Sequence, residues 1–442
     1  MMSTCTGRQV VRTLLTTSNS FWELGVLSRV IKRLDSFGIQ MPTEIQRMSI
    51  PPLLDGRSSV INAETGSGKT LCYVVPFVQR LYQLPHDGRR KPLGLFIVPS
   101  QELSYQVISV FNNLVAGTRF HLGAVCSSIR LVLRDDTVGI VGTVSSLANY
   151  HWPVVLKNIR YVVVDEADLL LNGQSSEMTW KLLNYFRSSK LKRNGDNLVD
   201  QTFGWNQQFV FCGATIPSGG KMAVQSVIER WFKQTGLLDH ATFLSSSQAH
   251  SPVSCIDYKF VRVTENSKLS ELVGVLDQIS HDTQSSKSAK VLIFTNTLAS
   301  CQRLHLELVD VMNKYPSCWW YKKLERYDKS VSVGNRMTTL QCFKDGTVQV
   351  LVCTDLASRG LDILNVQTVI QYDFPENSTA FLHRSGRTGR AGKQGKVVSF
   401  VSEETSELAT LVQDACLKSN DLRSFEATFS RKRKLRRRLK HK

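Results

Sequence analysis

Ala63-Glu64-Thr65-Gly66-Ser67-Gly68-Lys69-Thr70 follows directly on the apolar run Ser59–Asn62 and leads into a helix-patterned stretch, Leu71–Leu81. A backbone that points several N–H groups at one anion has to turn tightly. Gly66 and Gly68 permit such a turn, and the N-terminus of the following helix adds its partial positive charge. In that setting Lys69 reaches the β- and γ-phosphates of a nucleotide and the Thr70 hydroxyl ligates Mg2+. The general G-x4-G-K-[ST] pattern asks for glycine at position 63, where this chain has Ala63. Strand, loop and helix in that order predict a phosphate loop in an α/β fold.

Two further stretches carry chemistry. Asp165-Glu166-Ala167-Asp168 closes the run Tyr161–Val164. A carboxylate at the C-terminal end of a parallel strand sits at the rim where α/β sheets bind ligands. Asp165 is placed there to hold Mg2+ through water, and Glu166 to orient and deprotonate an attacking water. Far downstream, residues 383–392 space Arg384, Arg387 and Arg390 three apart among glycines. Glycine weakens a helix by about 1 kcal/mol, so this pattern makes an odd solvated face. It suits guanidinium groups presented to a triphosphate across a cleft. Residues 354–362 follow another strand and read as a loop at the same kind of rim. The combination predicts a composite site, completed only when two domains close.

The rest of the chain fits that plan. Short β-branched runs alternate with helix-patterned stretches, the signature of βαβ units. Strands are expected at Ser59–Asn62, Leu95–Val98, Tyr161–Val164, Phe209–Cys212, Val291–Phe294, Gln349–Val352, Thr368–Gln371 and Val397–Val401. The aperiodic stretch Phe243–Pro252 reads as a linker, and Ser188–Gln207 as a surface insertion; Tyr315–Ser332 has no clear period. The expected division is an N-terminal extension over 1–20, domains over 21–243 and 255–415 joined by 244–254, and a basic tail over 416–442. At 442 residues and 42% apolar content the chain has ample core for two or three domains, which excludes wholesale disorder. No apolar run approaches the ~18–20 residues of a membrane span. The ten cysteines lie far apart, none at C-x2–4-C spacing, which supports neither a zinc site nor a disulfide framework.

The net charge is +18, and residues 431–442 alone hold nine Lys/Arg and no acid. Such a tail stays solvated and can neutralise several phosphates of a polyanion, so nucleic acid is the first partner to consider; a solubilising or targeting tail is the alternative. The first 22 residues carry Arg8 and Arg12, many Ser/Thr and no acid, which resembles a mitochondrial transit peptide. An unstructured start is the other reading.

Together these pieces resemble the DEAD-box family of ATP-dependent RNA helicases over about residues 21–402. The box stands at 165–168, and Phe21 with Pro42-Thr43-Glu44-Ile45-Gln46 matches the family's adenine motif. Further matches are Pro99-Ser100-Gln101-Glu102-Leu103, Gly213-Ala214-Thr215, the loop at 354–362 and the arginine motif. The resemblance implies two tandem RecA-like domains, each a parallel sheet flanked by helices, using ATP and Mg2+ to remodel RNA as a monomer. It implies that Phe21 stacks on adenine and Gln46 reads its edge, and that Asp362 lies near the ribose. It places Arg387 and Arg390 at the γ-phosphate, coupling at Asp168, Ala214, Thr215 and His383, and RNA along Pro99, Glu102, Thr143, Arg336 and Thr354.

This chain departs from the family pattern mainly on the RNA side. Gln101 replaces an Arg, Thr143-Val144-Ser145-Ser146 replaces T-P-G-R, no Gly-Gly pair occurs between 116 and 142, and Val333 replaces a Gln. Gly213 replaces the Ser of S-A-T, removing a hydroxyl that in the family bonds to the acidic box. ATP hydrolysis is therefore the firmer expectation, and an ATP-gated RNA clamp with little unwinding is the alternative. A DNA helicase of the same superfamily is disfavoured by Gln46 with Phe21. Within the family, the Gly-Ala-Thr variant, short tail and acid-free start are similar to a mitochondrial member associated with large-ribosomal-subunit assembly. That implies structured rRNA, ribonucleoprotein partners and a mitochondrial address, with nucleus or nucleolus as the alternative. Deleting residues 431–442 is expected to weaken RNA binding and flatten its salt dependence, the log–log slope falling by roughly 0.7 for each phosphate the tail neutralises. An unchanged slope in a filter-binding titration would make the tail a targeting or solubility device.

Overall fold

The structure is a computed structural model; it describes residues 20–84, 93–125, 134–148, 158–173, 175–192, 207–216, 223–247, 253, 255–282, 289–358, 366–389 and 393–418. Thirteen strands lie among them. β1 (Ser58–Asn62), β2 (Gly94–Val98), β3 (His121–Val125), β4 (Thr137–Thr143), β5 (Tyr161–Val164), β6 (Gln208–Gly213) and β7 (Ala241–Ser245) build one sheet in the order β3-β4-β2-β5-β6-β1-β7. β8 (Ile256–Arg262), β9 (Val291–Phe294), β10 (Leu324–Tyr327), β11 (Val350–Cys353), β12 (Thr368–Gln371) and β13 (Gly395–Val401) build the second, in the order β10-β11-β9-β12-β13-β8. Every pairing in both sheets is parallel.

Parallel strands need helical crossovers, and those crossovers cover both faces of the sheet. The side chains record this. Ile61, Phe96, Val163 and Val210 pack into one apolar cluster, while their strand neighbours Val60, Ile97, Val164 and Phe211 pack into another on the opposite face. In the second sheet Val291, Ile293 and Val350 face one cluster and Leu292, Phe294 and Leu351 the other. No helix among the described residues is long and apolar enough to cross a membrane.

The eight strands expected from the sequence are all present, to within two residues at each end. The stretch read as a linker from Phe243 is partly strand: β7 runs to Ser245 and pairs with β1 residue for residue. The helix Ser406–Lys418 likewise runs past the expected start of the tail at 416. Within Tyr315–Ser332 lies the edge strand β10, preceded by turns that bury Trp320 completely. The proposed insertion at Ser188–Gln207 begins as the last turn of the helix Ser176–Lys192, and residues 193–206 lie outside the described part.

The rim of the second sheet is tied by Asp373, just past β12. Its carboxylate accepts from Lys268 Nζ at 2.7 Å, Asn296 N at 3.0 Å and Ser300 Oγ at 2.8 Å. Burial pushes this carboxyl up, but the bonds from Lys268 and the Asn296 amide, with the Lys268 charge, outweigh burial and hold it below the ordinary carboxylate range. A depressed carboxylate stabilises the fold above its unfolded pKa, about 3.9, and loses that contribution as pH falls through its folded value. Asp373→Asn should therefore cost about 1.5–3 kcal/mol in urea unfolding at pH 7. The gap to wild type should narrow below about pH 4.

Candidate active site at the meeting of two sheets

The register of β1, β5 and β6 brings three loops together. Asn62 pairs with Gly213 and Val164 with Phe211, so the chain leaves these strands at residues 63, 165 and 214 on one rim. The phosphate loop closes on itself there. Gly66 and Gly68 sit at φ 89° and 86°, in the left-handed region that glycine tolerates. Lys69 Nζ donates to the carbonyls of Ala63 and Glu64 at 2.7 and 2.9 Å, and Ser67 Oγ to the carbonyl of Glu64. The Glu64 carboxylate accepts from Ser246 Oγ at 2.6 Å.

Gln46 is drawn into the same loop. It occupies the third position of the helix Glu44–Leu54, where its Oε1 accepts from Thr43 N at 3.0 Å in a capping box. Its Nε2 donates to the carbonyl of Gly68 at 3.1 Å, and Thr43 Oγ1 to that of Ser67 at 2.8 Å. Phe21, expected to stack on a base, is 1% exposed and packs into the first sheet's core, with Trp22 beside it 68% exposed.

The acidic box is buried. Asp165 Oδ2 accepts from Tyr73 Oη at 2.8 Å and Oδ1 from Glu166 N at 2.9 Å. Burial first, and the neighbouring Glu166 charge second, push the Asp165 carboxyl up to about 6. Glu166 stands at φ 50°, a left-handed conformation rare for a side-chain-bearing residue and characteristic of functional positions. Its Oε2 is buried without a hydrogen-bond partner among the described residues. Asp168 Oδ2 accepts from Thr215 N at 3.1 Å and Thr215 Oγ1 at 2.7 Å.

The second sheet reaches into this rim. His383 lies 215 residues beyond Asp168 in sequence, fully buried, with Nε2 3.3 Å from Asp168 Oδ2 and 3.4 Å from Thr215 Oγ1. Its Nδ1 is 3.9 Å from Glu166 Oε2. Thr65 Oγ1 donates to the carbonyl of Gly386 at 3.4 Å, and Ala214 lines the narrow cleft between the sheets with Glu64, Thr215 and His383. Arg387 is buried beside them, its Nε donating to the carbonyl of His383. Arg384 does not join this cleft. It bonds Asp355 Oδ1 at 2.6 Å, the Asp373 carbonyl at 2.8 Å and Asn296 Oδ1 at 2.7 Å, bracing its own sheet's rim. Asp362 and Arg390 lie outside the described residues.

The residues expected to grip RNA divide differently. Glu102, on the helix Gln101–Val115, and Arg336, on the helix Val333–Asp345, meet across the two halves: Arg336 Nε to Glu102 Oε1 is 2.6 Å, and both are buried. Arg336 also donates to the Val331 carbonyl at 2.8 Å. Thr143 turns its hydroxyl onto Ser145 and Ser146, at 3.2 and 2.9 Å, so the variant Thr-Val-Ser-Ser forms a local hydroxyl cluster at a helix start. Pro99 and Thr354 follow the strand ends of β2 and β11, partly exposed. Sequence reasoning missed Tyr73, whose only signal was its place one turn after Lys69.

Comparison with known proteins agrees with this geometry. The family model for DEAD/DEAH box helicases matches residues 43–222, and that for the helicase conserved C-terminal domain residues 267–392. The chain is 32% identical over 387 residues to "Probable ATP-dependent RNA helicase DDX28" of Mus musculus, covering 84% of this chain and 68% of that protein. It is 32% identical over 420 residues to "DEAD-box ATP-dependent RNA helicase 39" of Arabidopsis thaliana, covering 92% and 62%. The fold matches that of S. cerevisiae Dbp5 bound to RNA and ADP BeF3, with a TM-score of 0.71 at 19% identity over 94% of this chain and 99% of that one. The chain belongs to the DEAD-box family of ATP-dependent RNA helicases.

The glycine that replaces serine in the Gly213-Ala214-Thr215 segment has a steric reason. A Cβ at Gly213 would lie 2.7 Å from Ile216 Cγ1, while Asp168 Oδ1 is 3.3 Å away. Gly213→Ser should restore a hydroxyl near the box yet cost about 1–3 kcal/mol through overpacking. Adding Ile216→Ala should recover part of that cost, measured as a non-additive term in a double-mutant unfolding cycle.

Proposed function

We propose that the chain binds ATP with Mg2+ at the rim shared by the two sheets and uses RNA-stimulated hydrolysis to remodel or locally unwind structured RNA. The observation that carries this is the buried Asp168–Thr215–His383 network, which joins the acidic box of one half to the arginine-bearing segment of the other. Adenine recognition falls to Gln46, since Phe21 is packed into the core and offers no open face to a base. Lys69 exchanges the carbonyls of Ala63 and Glu64 for phosphate oxygens. Arg387, with Arg390 beyond it, closes on the γ-phosphate, with Asp362 toward the ribose.

A hydroxyl at Thr70 and a carboxylate at Asp165 are the hard oxygen donors that Mg2+ selects. The upward push on Asp165, buried beside Glu166, is the mark of a site that favours a cation. Mg2+ there would neutralise charge on the phosphates. Glu166 Oε2, buried and unbonded, is the group that takes the proton of the attacking water.

RNA lies along Pro99, Glu102, Thr143, Arg336 and Thr354 in this reading, with the Glu102–Arg336 pair joining the halves beside it. Structured rRNA is the substrate we favour, and a relative from Sclerotinia sclerotiorum, 29% identical, is named "ATP-dependent rRNA helicase rrp3". The acid-free start with Arg8 and Arg12 favours a mitochondrial location, and the basic tail a nuclear or nucleolar one. A second reading, an ATP-gated RNA clamp, is favoured by the hydroxyl cluster at Thr143 in place of a backbone-and-Arg grip.

Steady-state ATPase activity should rise with single-stranded RNA and not with DNA. Glu166→Gln should lower turnover about 10²–10⁴-fold while retaining ATP and RNA. Wild-type turnover in that variant would place the base elsewhere. RNA-stimulated hydrolysis without release of a short duplex would select the clamp.

A further inference from the structure

The helix Lys69–Gln83 carries a buried hydroxyl that the phosphate loop does not require. Tyr73 lies four residues after Lys69 and three after Thr70, so all three share one helical face. Its ring is completely buried, beside Phe96 at a centroid separation of 6.0 Å, where a phenylalanine would fill the same apolar space. The hydroxyl is aimed instead at a polar group. It donates to Asp165 Oδ2 at 2.8 Å. The backbone beneath is fixed by Tyr161, whose own hydroxyl donates to the Tyr73 carbonyl at 3.0 Å.

We propose that Tyr73 is a positioning residue that holds Asp165, an oxygen donor of the nucleotide-bound cation, in place before the nucleotide arrives. The proposal rests on the reading of Asp165 as a Mg2+ donor. Each Asp165 oxygen receives one donor, Oδ2 from Tyr73 and Oδ1 from the Glu166 amide, so the carboxylate plane is set from both sides. Hydrogen bonds of this kind, one shell out from a metal, orient its ligands, and their loss typically weakens metal binding 10–100-fold.

The test is Mn2+ binding to the ADP complex of the full chain, read by electron paramagnetic resonance, beside the affinity for fluorescent ADP in EDTA. Tyr73→Phe should weaken Mn2+ by at least about tenfold and leave metal-free ADP affinity unchanged. Tyr82→Phe removes a hydroxyl bonded to the Leu114 carbonyl, on the same helix and away from Asp165, and should change neither. A Mn2+ affinity within twofold of wild type in Tyr73→Phe would overturn the proposal, as would equal losses with and without metal. Asp165→Asn in the same assay separates the two readings. If it does not weaken Mn2+, the assignment of the donor fails and Tyr73 with it; if it does and Tyr73→Phe does not, only the role of Tyr73 fails. Tyr73→Phe combined with Asp165→Asn pairs two neutral groups and guards against misfolding of the single variant. Additive losses of Mn2+ affinity in that cycle would likewise overturn the proposal.

Discussion

The register of three parallel strands sets everything that follows. With β1 beside β6 and β6 beside β5, the residues that leave their C-terminal ends cannot be far apart. Ala63, Asp165 and Ala214 thereby begin three neighbouring loops, although more than a hundred residues separate the first from the last. No loop could supply that convergence itself, because loops take their position from the elements they join. The phosphate loop, the acidic box and Thr215 are consequences of sheet order. The second sheet repeats the logic: Asn296, Asp355 and Asp373 each lie two residues past the end of β9, β11 and β12, and Arg384 gathers all three.

The seam between the halves is polar and buried, which is costly unless every partner is present. Asp168 is well satisfied by Thr215, and His383 completes the cluster. Glu166 Oε2 and His383 Nδ1, 3.9 Å apart, are left without hydrogen bonds among the described residues. On the other side of the seam, Glu102 pairs with Arg336 while its second oxygen is unbonded among the described residues. A buried ion pair is a poor source of stability but is strongly damaging to break one partner at a time. Two such contacts therefore specify how the halves meet more than how tightly.

The strands that were legible in the sequence are the central ones, buried on both faces, where every residue can be apolar. The strands missed divide by cause. β3, β7, β8 and β10 lie at sheet edges, and β8 alternates buried and exposed residues with the polar Asp257 and Lys259 in between. β4 is central and fully buried, yet Gly139 and Gly142 dilute its apolar run. The phosphate loop, box and arginine motif were legible because phosphate chemistry permits few residue types at fixed spacing. Glu102–Arg336 was not, being a contact across 234 positions between residues read as RNA ligands. Arg384 was misread by its spacing with Arg387, since three residues along a helix place neighbours together without making them point into the same cleft.

The phosphate loop shows how sequence and state interact. Lys69 bonds the carbonyls of Ala63 and Glu64, and Gln46 bonds that of Gly68, so the loop's own backbone satisfies both groups expected to recognise ATP. A buried ammonium without partners would be far costlier than this arrangement. Nucleotide binding must therefore exchange bonds rather than add them, and its net gain is smaller than the contacts suggest. In the function proposed above, the difference comes from groups the loop cannot reach alone: Glu166 and Asp168 after β5, and His383 and Arg387 from the second sheet. On that proposal closure and nucleotide affinity form one equilibrium, because the phosphate loop by itself is already satisfied.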